Sequence, residues 1–240
     1  MLDSEPIEVL LHDAEDDCAY LPGRRARLPL RLPLRPLSHE ELEERLERGD
    51  RRQGPLLYRP RCRACQACEA IRVDVRTFQP NRSQQRCWRQ CEEVFQLRVT
   101  APGVSEERLE LHAKHLVGRE LDGPSGPLDE AEYVSCFVES CVDSFEMQYW
   151  HEDRLAGIAL VDRSSAGLSA VYTFWDPELS TYSLGTYSIL KQLELCRQEG
   201  LRWLYLGLTV EGCPSMEYKR RFHPHERLID GSWQRFERAD

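Results

Sequence analysis

The sequence predicts an α+β fold, with a large sheet in the C-terminal half and a smaller N-terminal α/β part that is rich in cysteine and arginine. Two observations predict this class. Residues 145–175 contain three consecutive strand-like segments, and a helix-like segment and the apolar strand WLYLGL follow them. A run of strands followed by a helix is typical of α+β proteins, whereas α/β proteins alternate the two elements. We place the two parts at residues 1–100 and 101–240.

Composition excludes several classes of protein. The chain has 240 residues, a net charge of −9 and 41% hydrophobic residues, as is ordinary for a globular protein. We find no run of about 18 apolar residues, so no membrane span is expected. The N-terminal sequence MLDSEPIEVLLHDAEDD is acidic and lacks the basic and apolar regions of a secretory signal, which predicts a cytoplasmic protein. In that compartment the ten cysteines are expected to be free thiols or metal ligands.

The N-terminal part begins with an extended lead over residues 1–37, since four prolines there remove backbone donors. Ser38 and Glu41 form the sequence pattern of a capping box, which predicts a helix that ends near Gly49. Residues 71–76 alternate apolar and charged side chains, so we expect a half-buried strand with Arg72 and Arg76 on one face. A helix over 82–93 and a strand over 94–100 follow.

The C-terminal part begins with two predicted helices, 104–118 and 129–142, joined by the glycine- and proline-rich linker LDGPSGPLD. Strands are predicted at 145–150, 154–161 and 168–175, and the polar turn DRSSAG between the last two predicts an antiparallel meander. A helix over 184–199 ends at Gly200, and WLYLGL then forms a buried strand.

The most informative segment extends from Tyr58 to Gln90, where eight arginines oppose only Glu69 and Asp74. This local charge of +6 in an acidic chain favours a phosphate-bearing partner, because the guanidinium fork matches pairs of phosphate oxygens. Aromatic residues at both ends of the segment suit single-stranded nucleic acid. A second basic patch covers residues 219–225. The alternative is a solvated surface with local acidic partners.

The same segment contains the cysteine pattern CxxCxxC at Cys62, Cys65 and Cys68. Two-residue gaps allow three thiolates to face one zinc ion or iron–sulfur cluster. Cys18, Cys87 or Cys91 could supply the fourth ligand, and Cys18 is favoured because it lies outside this segment. The alternative is that these cysteines pack without a metal. No GxSxG elbow, P-loop or dinucleotide-binding GxGxxG pattern is present, so the common hydrolase and nucleotide-enzyme classes are not indicated.

Three ordered motifs carry a family resemblance: the cysteine block, the segment LSAVYTFWDPELSTYSLGTYSILKQL and the segment LYLGLTVEGCPSMEYKRRFHPHE. Through them the sequence resembles the aminoacyl-tRNA–protein transferases, and most of all their short bacterial branch, the aspartate/glutamate leucyltransferases. The resemblance covers about Cys18 to Trp233. It implies a fold similar to that of GNAT acyltransferases, with which the predicted meander, helix and strand agree.

The resemblance also implies an activity, in which leucine, ahead of arginine, passes from charged tRNA to the α-amine of proteins with N-terminal Asp or Glu. Those two substrates would be the partners, no membrane would be involved and no cofactor would be required. We expect Asp176 and Tyr172 to position the amine, and Lys219 to meet tRNA phosphate or developing negative charge. Asp176 precedes Pro177, so a turn role is the alternative. Contacts to tRNA or to the acidic N-terminus are expected from Arg59, Arg72, Arg76, Arg82, Arg86 and Arg89.

Two rival functions come from other classes. An acetyl-CoA-dependent GNAT acetyltransferase would use a glycine-rich turn at a helix N-terminus to hold pyrophosphate, and only Gly185 occupies that place. A noncatalytic nucleic-acid-binding or cluster-binding module would use the cysteine block alone. It leaves the two C-terminal motifs without a role.

Overall fold

A computed structural model describes residues 6–121 and 126–237. Its strands are β1 (Glu8–His12), β2 (Glu15–Asp17), β3 (Arg25–Arg27), β4 (Leu30–Pro33), β5 (Arg51–Gln53), β6 (Leu56–Tyr58), β7 (Cys68–Asp74), β8 (Phe95–Thr100), β9 (Ser144–His151), β10 (Arg154–Arg163), β11 (Gly167–Trp175), β12 (Trp203–Val210), β13 (His225–Ile229) and β14 (Ser232–Phe236). Its α-helices are α1 (His39–Glu47), α2 (Arg82–Glu92), α3 (Glu106–Gly118), α4 (Glu130–Tyr133), α5 (Leu184–Gln198) and α6 (Pro214–Glu217). A π-helical turn covers Val134–Val138, and 3-10 turns cover Pro177–Tyr182 and Tyr218–Arg221.

The described residues form a mixed α/β structure around one eight-stranded sheet, with the strand order β14-β13-β7-β12-β11-β10-β9-β8. All neighbouring strands in it are antiparallel except β11 and β12, which are parallel. A four-stranded sheet, β1-β4-β6-β5, and the hairpin β2-β3 lie outside it. Strands β7 and β8, which precede residue 101, belong to the large sheet. The division into 1–100 and 101–240 stays a prediction.

Local sequence signals predicted most of the helices and the six longest strands, β7 to β12, correctly. The capping box at Ser38 is present, since Ser38 and Glu41 each bond the other's backbone N–H, and α1 follows it. The meander β9-β10-β11 is antiparallel as expected, and α5 ends before Gly200, which adopts φ +71°. Residues 122–125 of the predicted linker lie outside the described residues.

The expected half-buried character of residues 71–76 is wrong, because β7 is a central strand and residues 70–75 are all buried. Arg72 lies between the rings of Trp203 and Trp233, with its Cζ 3.7 and 4.1 Å from their centroids. It pairs with Glu226 at 2.8 Å and also with Glu47. Arg76 follows the end of β7 and is exposed, so it does not share a buried face with Arg72. The two ion pairs explain how a charged side chain is accommodated in a central strand.

A buried ion pair joins the smaller sheet to the large one. Arg52 of β5 donates two hydrogen bonds to the carboxylate of Asp162 in β10, at 2.9 and 2.7 Å, and both side chains are 2% exposed. Ser144 donates to the same carboxylate at 2.7 Å. Bidentate contacts of this kind fix geometry as well as charge. They therefore hold β5 in a defined position against the large sheet. In the described ranges 6–121 and 126–237, none of the helices is long and apolar enough to cross a membrane.

The buried histidine His112 is expected to make the free energy of unfolding decrease in acid. His112 lies among Tyr133, Phe137, Tyr172 and Phe174, and burial, with a smaller effect of His115, lowers its pKa to about 4. The unfolded chain protonates such a histidine near pH 6.5, whereas the folded protein does not until about pH 4. We expect the free energy of unfolding to decrease between these pH values, by about 2 kcal/mol for His112 at pH 5.

Urea denaturation at pH 7, 6 and 5 measures this effect. The variant His112→Phe should lose less stability than the wild type over this range, because it lacks the group that protonates on unfolding. Equal pH dependence in the two proteins would contradict the assignment to His112.

Candidate active site

The large sheet opens between its two parallel strands. Strands β11 and β12 pair over only three positions, from Gly167 opposite Trp203 to Ser169 opposite Tyr205. The pairing of β11 with β10 slips by one residue beyond Ala170, and that of β12 with β7 slips after Tyr205. Bulges of this type bend strands away from their neighbours. The remaining parts of β11 and β12 therefore diverge, and we call the space between them the cleft.

Two cations bond backbone carbonyls of the diverging strands. Arg51 of β5 donates to Ser169 Oγ at 3.0 Å and to the Ala170 carbonyl of β11 at 2.7 Å. Lys219, from the 3-10 turn Tyr218–Arg221, donates to the Leu208 carbonyl of β12 at 2.8 Å. Buried backbone carbonyls require such partners. The two side chains thus stabilise the separated strands and give the cleft a positive charge.

The environment of the cleft changes the acid–base properties of these cations. Burial lowers the pKa of Lys219 to about 7, and the nearby Arg51 cation contributes to that shift. Burial also lowers the pKa of Arg51. Arginine remains protonated in proteins, so Arg51 keeps its charge at neutral pH. Lys219 is the group in the cleft that can gain or lose a proton near pH 7.

Gly207 allows Arg51 to approach β12 closely. This residue adopts φ +83°, a conformation that favours glycine, and it lies at the slip in the pairing of β12. A Cβ atom there would be 3.0 Å from Arg51 Nη2 and 3.2 Å from its Cζ. Any larger residue would displace the guanidinium group.

A stripe of arginines lies on the outer face of α2. Arg82, Arg86 and Arg89 are exposed and follow the i, i+4, i+7 spacing that places side chains on one helix face. Neither Arg82 nor Arg86 has an ion pair in the described part of the chain. The buried Gln84 of α2 donates to the Arg221 carbonyl at 3.3 Å. The structure therefore joins the two basic clusters of the sequence, and Lys219 lies in the turn that connects α2 with the cleft.

The other predicted arginines have structural partners. Arg59 donates to the Arg48 carbonyl at 2.6 Å and lies 3.5 Å from Asp50. Arg76 is 3.5 Å from Asp74, and Arg72 has the ion pairs and tryptophan rings described above. These contacts account for the positions of the three side chains. Their predicted role in binding tRNA or an acidic N-terminus stays a prediction.

Asp176 and Tyr172 also have structural contacts. The buried carboxylate of Asp176 accepts the Glu178 N–H at 3.0 Å and so caps the 3-10 turn Pro177–Tyr182, while Arg154 lies 3.4 Å away. This is the turn role that the sequence also allowed. Tyr172 stacks on Phe137 with ring centroids 5.2 Å apart, and burial raises its pKa. Its location in an aromatic cluster explains that burial. Their role in positioning the amine stays a prediction.

Four cysteines border a cavity of about 520 Å³ beside β7: Cys18, Cys62, Cys65 and Cys68. The Leu21 N–H lies 3.4 Å from Cys18 Sγ, and the Arg27 N–H lies 3.5 Å from Cys62 Sγ. Burial, followed by the neighbouring thiols, raises the pKa of Cys68 to about 12. Across residues 6–121 and 126–237, no three His, Cys, Asp or Glu side chains have an arrangement that could hold a metal ion. The arrangement as it stands does not fit a zinc ion or cluster, and metal binding stays a prediction.

Sequence reasoning missed Arg51 and Ser169. Arg51 is one of two adjacent arginines in β5, and nothing in the local pattern distinguishes it from Arg52. Their partners are 118 and 110 residues away along the chain. Only the paired sheets bring these side chains together.

Comparisons with known proteins define the class. The family model described as arginine-tRNA-protein transferase, C terminus, matches residues 107–229, and the model for the N terminus matches residues 16–86. The chain belongs to this family of aminoacyl-tRNA–protein transferases, and it is therefore an enzyme of that class.

The most similar relatives that we consider share one particular name, aspartate/glutamate leucyltransferase. The protein from Acinetobacter baumannii (strain ATCC 17978) is 35% identical over 223 residues, which cover 93% of this chain and 82% of the relative. The protein from Thiobacillus denitrificans is 37% identical over 93% of both chains, and that from Aeromonas hydrophila is 38% identical over 90% of both.

A solved structure shares the fold. It is the C-terminal domain of a protein described as a lysylphosphatidylglycerol synthetase from Agrobacterium fabrum, with a TM-score of 0.50 and 12% sequence identity. The match covers 72% of this chain and 59% of that chain. At this identity the similarity concerns the fold alone.

Proposed function

We propose that this protein transfers leucine from leucyl-tRNA to the α-amine of proteins that begin with Asp or Glu. The family and the shared name of its relatives support this activity. The observation that supports it in the structure is the cleft, where two cations that form no ion pair with any described residue lie between diverging strands. Substrates that bring negative charge suit such a site. The meander, α5 and the parallel strand β12 also support a GNAT-like fold.

The reaction is the aminolysis of an ester. The acceptor nitrogen attacks the ester carbonyl, a C–N bond forms, the C–O bond to the tRNA ribose breaks, and the amine proton passes to the ribose oxygen. An α-amine has a pKa of about 7.7–8, so most of it is protonated at pH 7. Lys219, with its pKa lowered to about 7, is suited to accept that proton and return it to the leaving oxygen.

The arginine stripe of α2 is our candidate for the tRNA surface. Exposed Arg82, Arg86 and Arg89 can pair with successive backbone phosphates, as basic surfaces do in nucleic-acid complexes. The bond between Gln84 and the Arg221 carbonyl places α2 next to the turn that carries Lys219. A tRNA bound along α2 would therefore have its aminoacylated end close to the cleft.

The two rival functions have less structural support. The ring of Trp175 packs at the N-terminus of α5, where a Cβ at Gly185 would be 3.3 Å from it. Gly185 therefore has a packing role, which weakens the case for a pyrophosphate site of an acetyl-CoA enzyme. Strand β7, which begins in the cysteine block, lies between β12 and β13 of the large sheet. This position argues against a separate cysteine-rich binding module.

A labelling assay tests the proposed function. Purified protein is incubated with tRNA charged with labelled leucine or labelled arginine and with peptides that differ only in their first residue. We expect leucine to appear on peptides that begin with Asp or Glu and not on one that begins with Ala. The parallel reaction with arginyl-tRNA shows whether leucine or arginine is the amino acid that the protein transfers. Absence of transfer from both tRNAs, with acetyl-CoA consumed instead, would contradict the proposal.

A further inference from the structure

We propose that Arg51 binds the side-chain carboxylate of the acceptor's first residue, and that this contact selects Asp and Glu. The inference rests on the proposed function and assigns its acceptor specificity to one side chain. It concerns a residue that lies inside the cleft and outside the arginine-rich segment of the sequence.

In the described ranges 6–121 and 126–237, Arg51 is a buried cation that forms no ion pair, although the Asp162 carboxylate, which is held by Arg52, acts on it through space. Its side chain bonds only neutral oxygens, Ser169 Oγ at 3.0 Å and the Ala170 carbonyl at 2.7 Å, and the residue is 7% exposed. Across residues 6–121 and 126–237, no carboxylate forms an ion pair with it. Its neighbour Arg52 differs, because it has a bidentate partner in Asp162. Arg72, equally buried, has two carboxylates.

A buried cation that lacks a directly bonded carboxylate is unfavourable in the free protein, even with Asp162 acting on it through space. Removing a charge from water costs several kcal/mol unless an opposite charge is nearby. Lys219 adds repulsion, since the Arg51 cation is one cause of its lowered pKa. A bound anion would offset both the cost of burying the Arg51 charge and its repulsion with Lys219. An anion that bonds the Arg51 guanidinium would therefore stabilise the folded protein.

The geometry favours a carboxylate as that anion. A guanidinium group has five N–H donors, and Ser169 and Ala170 accept from two of its nitrogens, so further donors remain for a planar acceptor. Gly207 presents no side chain against the group. A polyanion such as tRNA is better matched by the exposed arginines of α2 than by one buried cation, so tRNA phosphate is not the expected ligand of Arg51. The Arg51 charge acts on Lys219, so a carboxylate bound to Arg51 would hold the adjacent α-amine in the same cleft as the proposed proton acceptor.

The test compares acceptor peptides that begin with Asp or with its uncharged isostere Asn. For each peptide, kcat/KM for leucyl transfer is measured with wild-type protein and with Arg51→Gln. We expect the ratio of Asp to Asn to fall by about 30-fold or more in the variant, which is typical when one partner of a buried charge pair is removed. Arg98→Gln is the control, because Arg98 is an exposed arginine on the edge strand β8. Its ratio should equal that of the wild type.

A second variant covers the case in which Arg51→Gln does not fold. Ser169→Ala leaves the charge in place and removes one hydrogen bond that orients it. We expect the Asp-to-Asn ratio to fall by about 5-fold, the effect of one hydrogen bond. Equal losses for both peptides would show that Arg51 acts through strand geometry or on the donor, and would overturn the inference. An unchanged ratio in Ser169→Ala and Arg51→Gln would do the same.

The failure of this inference is distinct from the failure of the proposed function. If the wild-type protein labels neither peptide, the transfer activity itself is wrong. If it labels the Asp peptide and the variants keep the wild-type preference, the activity stands and the assignment of Arg51 is wrong.

Discussion

Replacing Lys219 by methionine is expected to reduce kcat for leucyl transfer by about 10²–10⁴-fold, the range found when a general acid–base group is lost. Lys219 lies in the cleft, donates to the Leu208 carbonyl and has a pKa lowered to about 7 by burial. The variant Lys219→Arg distinguishes a role as proton acceptor from a role as a source of positive charge. Arginine keeps the charge but cannot accept a proton near pH 7, so we expect it to be as inactive as methionine.

The pH profile gives a readout that a structural role would not change. In the wild type, kcat/KM should increase as the pH rises through about 7, because the neutral form of Lys219 is the active one. This inflection should be absent from the residual activity of Lys219→Met. Lys114→Met is the control, since Lys114 is an exposed lysine on α3. Full activity of Lys219→Arg would show that Lys219 supplies charge instead of accepting a proton.

The second large effect is expected from the double variant Arg82→Ala/Arg86→Ala. Both side chains are exposed on α2, and loss of two phosphate contacts should weaken binding of leucyl-tRNA about 30-fold near 0.1 M salt. Each contact also releases counterions, so the slope of log K against log salt should decrease by about 2 in magnitude. Fluorescence titration of labelled tRNA at several salt concentrations measures both quantities.

The same variant should keep the acceptor site intact. We expect its Asp-to-Asn ratio and its melting temperature to equal those of the wild type, because neither arginine has an ion pair within the described residues. Arg98→Ala changes an exposed arginine at the edge of the sheet and should bind tRNA normally. Unchanged tRNA affinity in the double variant would assign the two arginines to a solvated surface.

Local signals in the sequence were sufficient for most of the elements. Ser38 and Glu41 act within one helical turn, and the three strand-like segments of residues 145–175 are joined by short local turns, so both the helix and the antiparallel meander were confirmed. The strands β13 and β14 were missed, as were the short strands before α1. Strands of three to five residues give too few alternations for a pattern to be recognised.

The sequence by itself determined the family, through long ordered motifs, together with α1, α2, the meander and α5. Only the tertiary structure decided which cations face the cleft. Arg72 has an arginine-rich context but is neutralised by Glu47 and Glu226, whereas Arg51 has no acidic partner in the described part of the chain. The physical reason is that the charge state and accessibility of a side chain depend on partners 25 to 154 residues away in these cases, which local sequence does not encode.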